Sequence, residues 1–331
     1  MLVSILIPCY NAEPWVAQAI ESALAQTWRK KEVIVVDDGS TDGSLNVIKR
    51  FGDRIRWETG PNCGGNPARN RLLELARGEW LQYLDADDHL LPDKIAKQMA
   101  FVAAHHEADI VFGPVTLEHC GEREVRRQLL PIPEPHDVWI LLARWHLPQT
   151  GALLWRKESI LHAGGWRSDQ PCCQEHELYL RLLMADKKFF YSASGGAVYR
   201  QWGEHTVCKR DKPELRRRRL DIEQRAEDFL RERGELTRAR LSAINQARFE
   251  VARIAWKNEN DRGEAVRIMG VVSHSQPHFA PLGTAVPTSY RLVFRFFGFQ
   301  ITETIAEWRR RVYQPRREQF HSPLSVNHVD R

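Results

Sequence analysis

The chain has 331 residues, with 43% hydrophobic and 27% charged side chains, a formal net charge of +5 and a pI near 8.9. That length exceeds a typical single domain, and the composition is ordinary for a globular protein, which excludes wholesale disorder. The basic excess lies largely in the C-terminal third, at Arg216–Arg219 and Arg309–Arg311, beside many glutamates and without interleaved aromatics. Such runs read as solvated helix faces, so no nucleic acid is expected as a partner.

The first residues, Leu2-Val3-Ser4-Ile5-Leu6-Ile7-Pro8, make an apolar run with no basic stretch ahead of it, too short to cross a bilayer. They predict a central parallel strand, not a signal. No other stretch reaches the roughly 18 apolar residues of a membrane span, so a cytoplasmic location is expected, with contact at the inner face of the membrane left open. The spacing of Val16, Ala19, Ile20, Ala23 and Leu24 predicts a helix over 15–26, and Glu32–Val36 a second buried strand. Strand, helix and strand in this order give a right-handed crossover. The pattern repeats with a helix over 45–51, a short strand over 55–57, a helix over 67–76 behind the turn Asn62-Cys63-Gly64-Gly65-Asn66, and a strand over 80–84. Pro92 opens a further helix.

Beyond it the pattern predicts a strand over 109–116, a polar excursion over 118–135, a strand over 150–155, a tight loop at Gly164-Gly165-Trp166 and a helix over 175–184. From about Cys208 the texture changes to charged helical segments over 214–233, 236–258 and 262–273, then an amphipathic stretch over 290–313 and a loose tail. Six cysteines (Cys9, Cys63, Cys120, Cys172, Cys173, Cys208) lack C-x-x-C spacing and read as reduced thiols, with neither a disulfide framework nor a zinc site.

In open α/β sheets ligands collect beyond the carboxyl ends of the strands, where this chain has Tyr10-Asn11, Asp37-Asp38 and Asp85-Ala86-Asp87-Asp88. Asp85 and Asp87 repel each other unless a cation sits beside them, and Mg²⁺ or Mn²⁺ suits oxygen ligands completed by a diphosphate. Asp88 is read as a cap for the helix near Pro92. A carboxylate at Asp38 can accept from the imide N–H of a uracil on which Tyr10 stacks; turn chemistry is the alternative reading.

The blocks Ser4-Ile5-Leu6-Ile7-Pro8-Cys9-Tyr10-Asn11, Gln26-Thr27, Val35-Val36-Asp37-Asp38-Gly39-Ser40-Thr41-Asp42, Asn62 through Ala68-Arg69-Asn70, and Gly78-Glu79 through Leu84-Asp85-Ala86-Asp87-Asp88 give the sequence a family likeness. In these blocks, in this order, the chain resembles the family 2 glycosyltransferases of the GT-A fold. The likeness runs roughly from Leu2 to Cys208, dense at first and thinner after about Phe112. It implies an α/β catalytic domain over 1–208, a mostly parallel sheet flanked by helices, and leaves 209–331 as a helical C-terminal region.

By the same resemblance Pro8, Tyr10 and Asp38 hold the donor's base and ribose, Arg69 faces the donor, Asp85 contacts the nucleotide sugar or its metal shell, and Asp87 is the principal metal ligand. Asn70 is either a member of that block or structural. The family's Glu-Asp pair before an apolar helix aligns with Gln174-Glu175, making Glu175 the base of an inverting transfer, with His176 and Glu177 as rivals and helix-start electrostatics as the plainer role. His205, after the last expected strand of the domain, is a further candidate for the metal or diphosphate, with a surface loop histidine as the plainer reading, and Trp166 is one for the acceptor site, with packing under its loop as the alternative. The implied reaction moves a sugar from a nucleotide-diphosphate donor, by default a UDP-sugar, to a saccharide or lipid-linked acceptor in bacterial polysaccharide or lipopolysaccharide assembly. The segment 290–313 fits either an anionic membrane surface or packing on the catalytic domain. A nucleotidyltransferase would carry a basic glycine-rich loop, absent from Pro8–Pro14, and a non-catalytic nucleotide-sugar binder is the rival that Gln174 keeps open.

Overall fold

A computed structural model describes residues 1–121, 124–202, 212–258, 261–283 and 286–313. The unbroken apolar run at the start forms β1 (Val3–Cys9), buried at every residue but Pro8, as a strand covered on both faces requires. α1 (Val16–Leu24) turns Val16, Ala19, Ile20 and Ala23 inward at helical spacing and leads to β2 (Lys31–Asp37). α2 (Ser44–Lys49), β3 (Arg56–Thr59), α3 (Gly65–Leu75) and β4 (Trp80–Tyr83) complete the repeated pattern. β5 (His89–Leu90) and α4 (Lys94–Ala104) follow, then β6 (Ile110–Phe112), β7 (Val115–Cys120), β8 (Val125–Leu130) and α5 (Val138–Ala143). β9 (Leu154–Arg156), α6 (Lys157–His162), α7 (Gln174–Met184), β10 (Phe189–Tyr191) and β11 (Ala197–Gln201) close the first unit, Met1–Asp211.

Its main sheet has seven strands in the order β10-β6-β9-β4-β1-β2-β3. β9 runs antiparallel to β4 and β6, while β1, β2, β3 and β4 pair in parallel. A second, four-stranded sheet has the order β5-β11-β7-β8.

This corrects the reading of residues 109–135. The expected single strand breaks at Gly113-Pro114, with β6 in the main sheet and β7 in the second. A Cβ on Gly113 would lie 2.6 Å from Ser192 O, and Pro114 has no N–H for a ladder. The polar excursion is largely the β7–β8 hairpin, whose outer strand is exposed at five of six residues and carries Arg126, Arg127 and Gln128 at its middle. The expected strand over 150–155 begins as a 3-10 turn at Thr150–Ala152 and extends only at β9.

The second unit, Lys212–Arg331, holds α8 (Lys212–Glu232), α9 (Arg238–Asn258), α10 (Arg262–Ser275) and α11 (Thr288–Tyr313). Phe249, Ala252, Ile268, Val272, Phe279 and Phe299 belong to its apolar core. α11 is two helices broken at Gly298, whose φ of 70° and ψ of −174° are not helical. The tail expected beyond Gln314 lies outside the described residues.

Candidate active site

The tips of β2 and β4 leave the sheet on either side of β1: Asp38 N donates to Cys9 O at 2.8 Å and Leu84 N to Leu6 O at 2.9 Å. Asp38 accepts from Cys63 N and Gly64 N, both at 2.8 Å, and so cinches the glycine-rich turn before α3 onto the tip of β2. Gly39 lies beneath that turn at φ 70°, and a Cβ there would be 2.6 Å from Asn62 N. Asn11, at φ 48°, accepts from Thr41 N at 2.8 Å, lacing the loops after β1 and β2 together. Tyr10, beside Pro8 on the same tip, stays 51% exposed, so a ring face is open to a ligand. Asp37 Oδ1 is buried without a hydrogen-bond partner.

Arg69, buried in α3, joins these tips to the later half of the unit. Its Nη2 donates to Asp85 Oδ1 at 2.9 Å and its Nη1 to Gln174 Oε1 at 3.0 Å. Burial opposes its charge, but Asp85 and Glu175 hold the guanidinium above its ordinary pKa. The departure at Gln174 thus keeps an acceptor for Arg69. Glu175, half-buried at the start of α7, accepts at Oε1 from Thr150 Oγ1 at 3.0 Å.

The rival bases are committed to packing. His176 stacks on Trp145 at 3.9 Å between centroids. Glu177 is buried and paired with Arg181 at 2.8 Å, and Arg181 in turn donates to Ala163 O and Gly165 O.

Of the two readings of Trp166, acceptor wall or packing under its loop, its burial fits the second. It is only 2% exposed, meets Tyr83 edge-on at 5.3 Å and underlies the Arg69 guanidinium at 5.0 Å. A large amphipathic ring behind two glycines here serves as the floor under a buried cation. Asn70 clamps the backbone of Trp166 from both sides, at 2.7 and 2.8 Å, which is a structural role. His205 lies outside the described residues.

At the tip of β4, Asp87 Oδ2 accepts from Trp202 Nε1 at 3.0 Å. Asp88 does not cap α4: its Oδ1 accepts from Arg200 N at 2.8 Å, while Asp93 precedes the helix. Asp88 Oδ2 is buried without a hydrogen-bond partner. Burial, then Asp85, pushes the Asp87 carboxyl up, and burial with Asp87 and Asp85 pushes Asp88 up further. Crowded carboxylates of this kind fit a hard divalent cation. Among the described residues no group of three or more His, Cys, Asp or Glu side chains is placed to hold a metal ion.

Arg200 and Trp202 escaped the sequence reading. Arg200 donates to Asp87 O at 2.7 Å and Gln18 Oε1 at 2.6 Å, pairs with Glu118 at 3.2 Å and lies 4.5 Å over Trp15. The signal for Arg200 is the alternation of β11, which turns residues 198 and 200 to one side.

A mostly parallel sheet with acidic tips on the two strands that flank β1, joined through a buried arginine to Gln174 beside Glu175 at the start of a helix, fits the GT-A glycosyltransferase fold. The Glycosyl transferase family 2 profile matches residues 4–165. EpsE of Bacillus subtilis, named as a glycosyltransferase, is 34% identical over 194 residues, 56% of this chain and 68% of that one. The chain belongs to glycosyl transferase family 2. WfaP of Escherichia coli, a UDP-Glc:alpha-D-GlcNAc-diphosphoundecaprenol beta-1,3-glucosyltransferase, is 39% identical over 103 residues, 30% of this chain and 41% of that one. The chain spans less than half the length of most curated relatives it matches. Among solved structures, residues 1–349 of S. aureus TarS in complex with UDP-GlcNAc share the fold, with a TM-score of 0.56 and 14% identity, covering 84% of this chain and 92% of that one.

Proposed function

We propose that the protein is an inverting glycosyltransferase that moves a sugar from a nucleotide-diphosphate donor, a UDP-sugar, to the hydroxyl of a saccharide or lipid-linked saccharide in bacterial surface polysaccharide assembly. The observation that carries this reading is the junction at Arg69, whose guanidinium binds Asp85 on the donor side and Gln174, next to Glu175, on the other. Pro8, Tyr10 and Asp38 bind the base and ribose. Asp87, with Asp85 beside it, would hold Mn²⁺ or Mg²⁺, whose charge stabilises the departing diphosphate. Glu175 takes the proton of the acceptor hydroxyl as its oxygen attacks the anomeric carbon from the face opposite the diphosphate, so no covalent nucleophile is needed. The UDP-GlcNAc bound by TarS supports the donor class, and the diphosphoundecaprenol acceptor in the name of WfaP supports the acceptor class.

The catalytic part is assigned to residues 1–208 and a supporting role to 209–331. No helix among the described residues is long and apolar enough to cross a membrane. α11 instead exposes Leu292, Phe296, Phe297, Ile301 and Trp308 together with Arg291 and Arg295, while Glu303 is turned inward onto Arg253. This face suits peripheral contact with the anionic inner face of the cytoplasmic membrane. Sedimentation with anionic but not zwitterionic vesicles, lost in Phe296→Ser, tests that part.

Nucleoside diphosphate release is the test of the reaction, measured for UDP-, GDP- and dTDP-sugars with Mn²⁺ in wild type and Glu175→Gln. The expected result is release from a UDP-sugar that falls by about 10²–10⁴-fold in the variant. Equal, negligible release in both proteins would favour a non-catalytic binder.

A further inference from the structure

The stretch 148–153, which leads into β9, gives four of its six carbonyls to side chains rather than to a strand. Tyr179 Oη donates to Pro148 O at 2.7 Å, Gln82 Nε2 to Gly151 O at 2.9 Å, Gln98 Nε2 to Ala152 O at 3.0 Å and Lys94 Nζ to Leu153 O at 3.1 Å. The donors come from β4, α4 and α7, and none is more than 1% exposed. Lys94 also donates to Gln82 Oε1, and no carboxylate pairs with it among the described residues. Burial pushes its ammonium well below the usual lysine range.

Without these donors the carbonyls of Pro148, Gly151, Ala152 and Leu153 would be buried unpaired, so the four side chains fix the course of the stretch. What they hold in place is Thr150, itself 0% exposed, whose hydroxyl reaches Glu175 Oε1. Tyr179 and Glu175 stand one helical turn apart on α7, so a single helix face grips both ends of Pro148-Gln149-Thr150. Glu175 Oε2 accepts no hydrogen bond among the described residues.

We propose that Thr150 is a positioning residue for Glu175, its hydroxyl engaging Oε1 so that Oε2 is the oxygen that receives the acceptor's proton, and that the buried Gln82, Lys94, Gln98 and Tyr179 hold it there. The inference rests on the reading of Glu175 as the base. In the transfer the acceptor O–H bond breaks and its proton passes to Glu175 Oε2. The electron pair left on the oxygen forms the new bond to the anomeric carbon, and the bond from that carbon to the diphosphate breaks with its pair.

Thr150→Val keeps the shape and removes the donor, whereas Thr150→Ser keeps the donor. Each is compared with wild type and Glu175→Gln for UDP release, with Mn²⁺, from whichever UDP-sugar the wild type turns over. Thr150→Val is expected to lower kcat by about 10–100-fold, the worth of a hydrogen bond to a charged group, with KM for the donor within about 2-fold. Thr150→Ser should stay within about 3-fold of wild type. UDP affinity and thermal melting report whether the site and fold persist, and Thr150→Ala takes the place of Thr150→Val should the latter not melt cooperatively. If Thr150→Val turns over normally while Glu175→Gln does not, the positioning role is wrong and the base stands. An equal loss in Thr150→Ser and Thr150→Val reduces the effect to packing and overturns the proposal. Full turnover by Glu175→Gln, or none by wild type with any UDP-sugar, overturns the base on which it rests.

Discussion

In the second unit the buried acids are clasped by arginines: Glu223 by Arg219 at 3.0 Å, Glu227 by Arg231 and Arg248, and Glu303 by Arg253 at 2.5 Å. At the strand tips of the first unit, by contrast, Asp85, Asp87 and Asp88 crowd the end of β4, where burial and then Asp85 push Asp87 up, and burial with Asp87 and Asp85 pushes Asp88 up. Acids paired with cations build a scaffold, while like charges crowded at one strand end leave room for a cation from outside. Arg216 pairs with Asp261, Arg217 and Arg218 with Glu214, and Arg219 with Glu223.

The largest effect that would sharpen this contrast is expected at Arg200, a well-paired charge beside the crowded tip of β4. Arg200→Met strips a partner from buried Glu118 and the guanidinium bond to Asp87 O, while the backbone N–H that reaches Asp88 remains, and should lower stability by about 3–5 kcal/mol in urea unfolding. Next is Asp87→Asn, expected to cut nucleotide release by about 100-fold or more while the melting temperature without metal stays level or rises, because one of three crowded charges is gone. A fall in melting temperature there would break the contrast, since it would make Asp87 part of the scaffold. Gln174→Glu keeps the acceptor for Arg69 and should leave turnover within about 3-fold of wild type. Smallest is Arg217→Ala, an exposed pair in the second unit, worth less than about 0.5 kcal/mol in the same unfolding measurement.

How far the sequence could be read follows from the same physics. β1, β2 and β4 were legible because burial on both faces writes an unbroken apolar run, and their tips because acidic residues follow directly. β8 was not, since an exposed outer strand carrying Arg126, Arg127 and Gln128 looks like a loop. The break at Gly113-Pro114 hid a change of sheet inside one apolar stretch. Trp166 reads alike as a cleft wall or as a floor, and only its 2% exposure decides. Arg200 meets Asp88 across 112 residues and Thr150 meets Glu175 across 25, contacts made by topology that no local spacing encodes.

The proposal that the acidic tips of β2 and β4, on either side of β1, bind a divalent cation together with a nucleoside diphosphate is tested by calorimetric titration of UDP. With Mn²⁺ the wild type should bind UDP, and EDTA or Asp87→Asn should each weaken binding by about 10-fold or more, at least 1.4 kcal/mol. UDP affinity unchanged by EDTA, or no binding in either buffer, would contradict it.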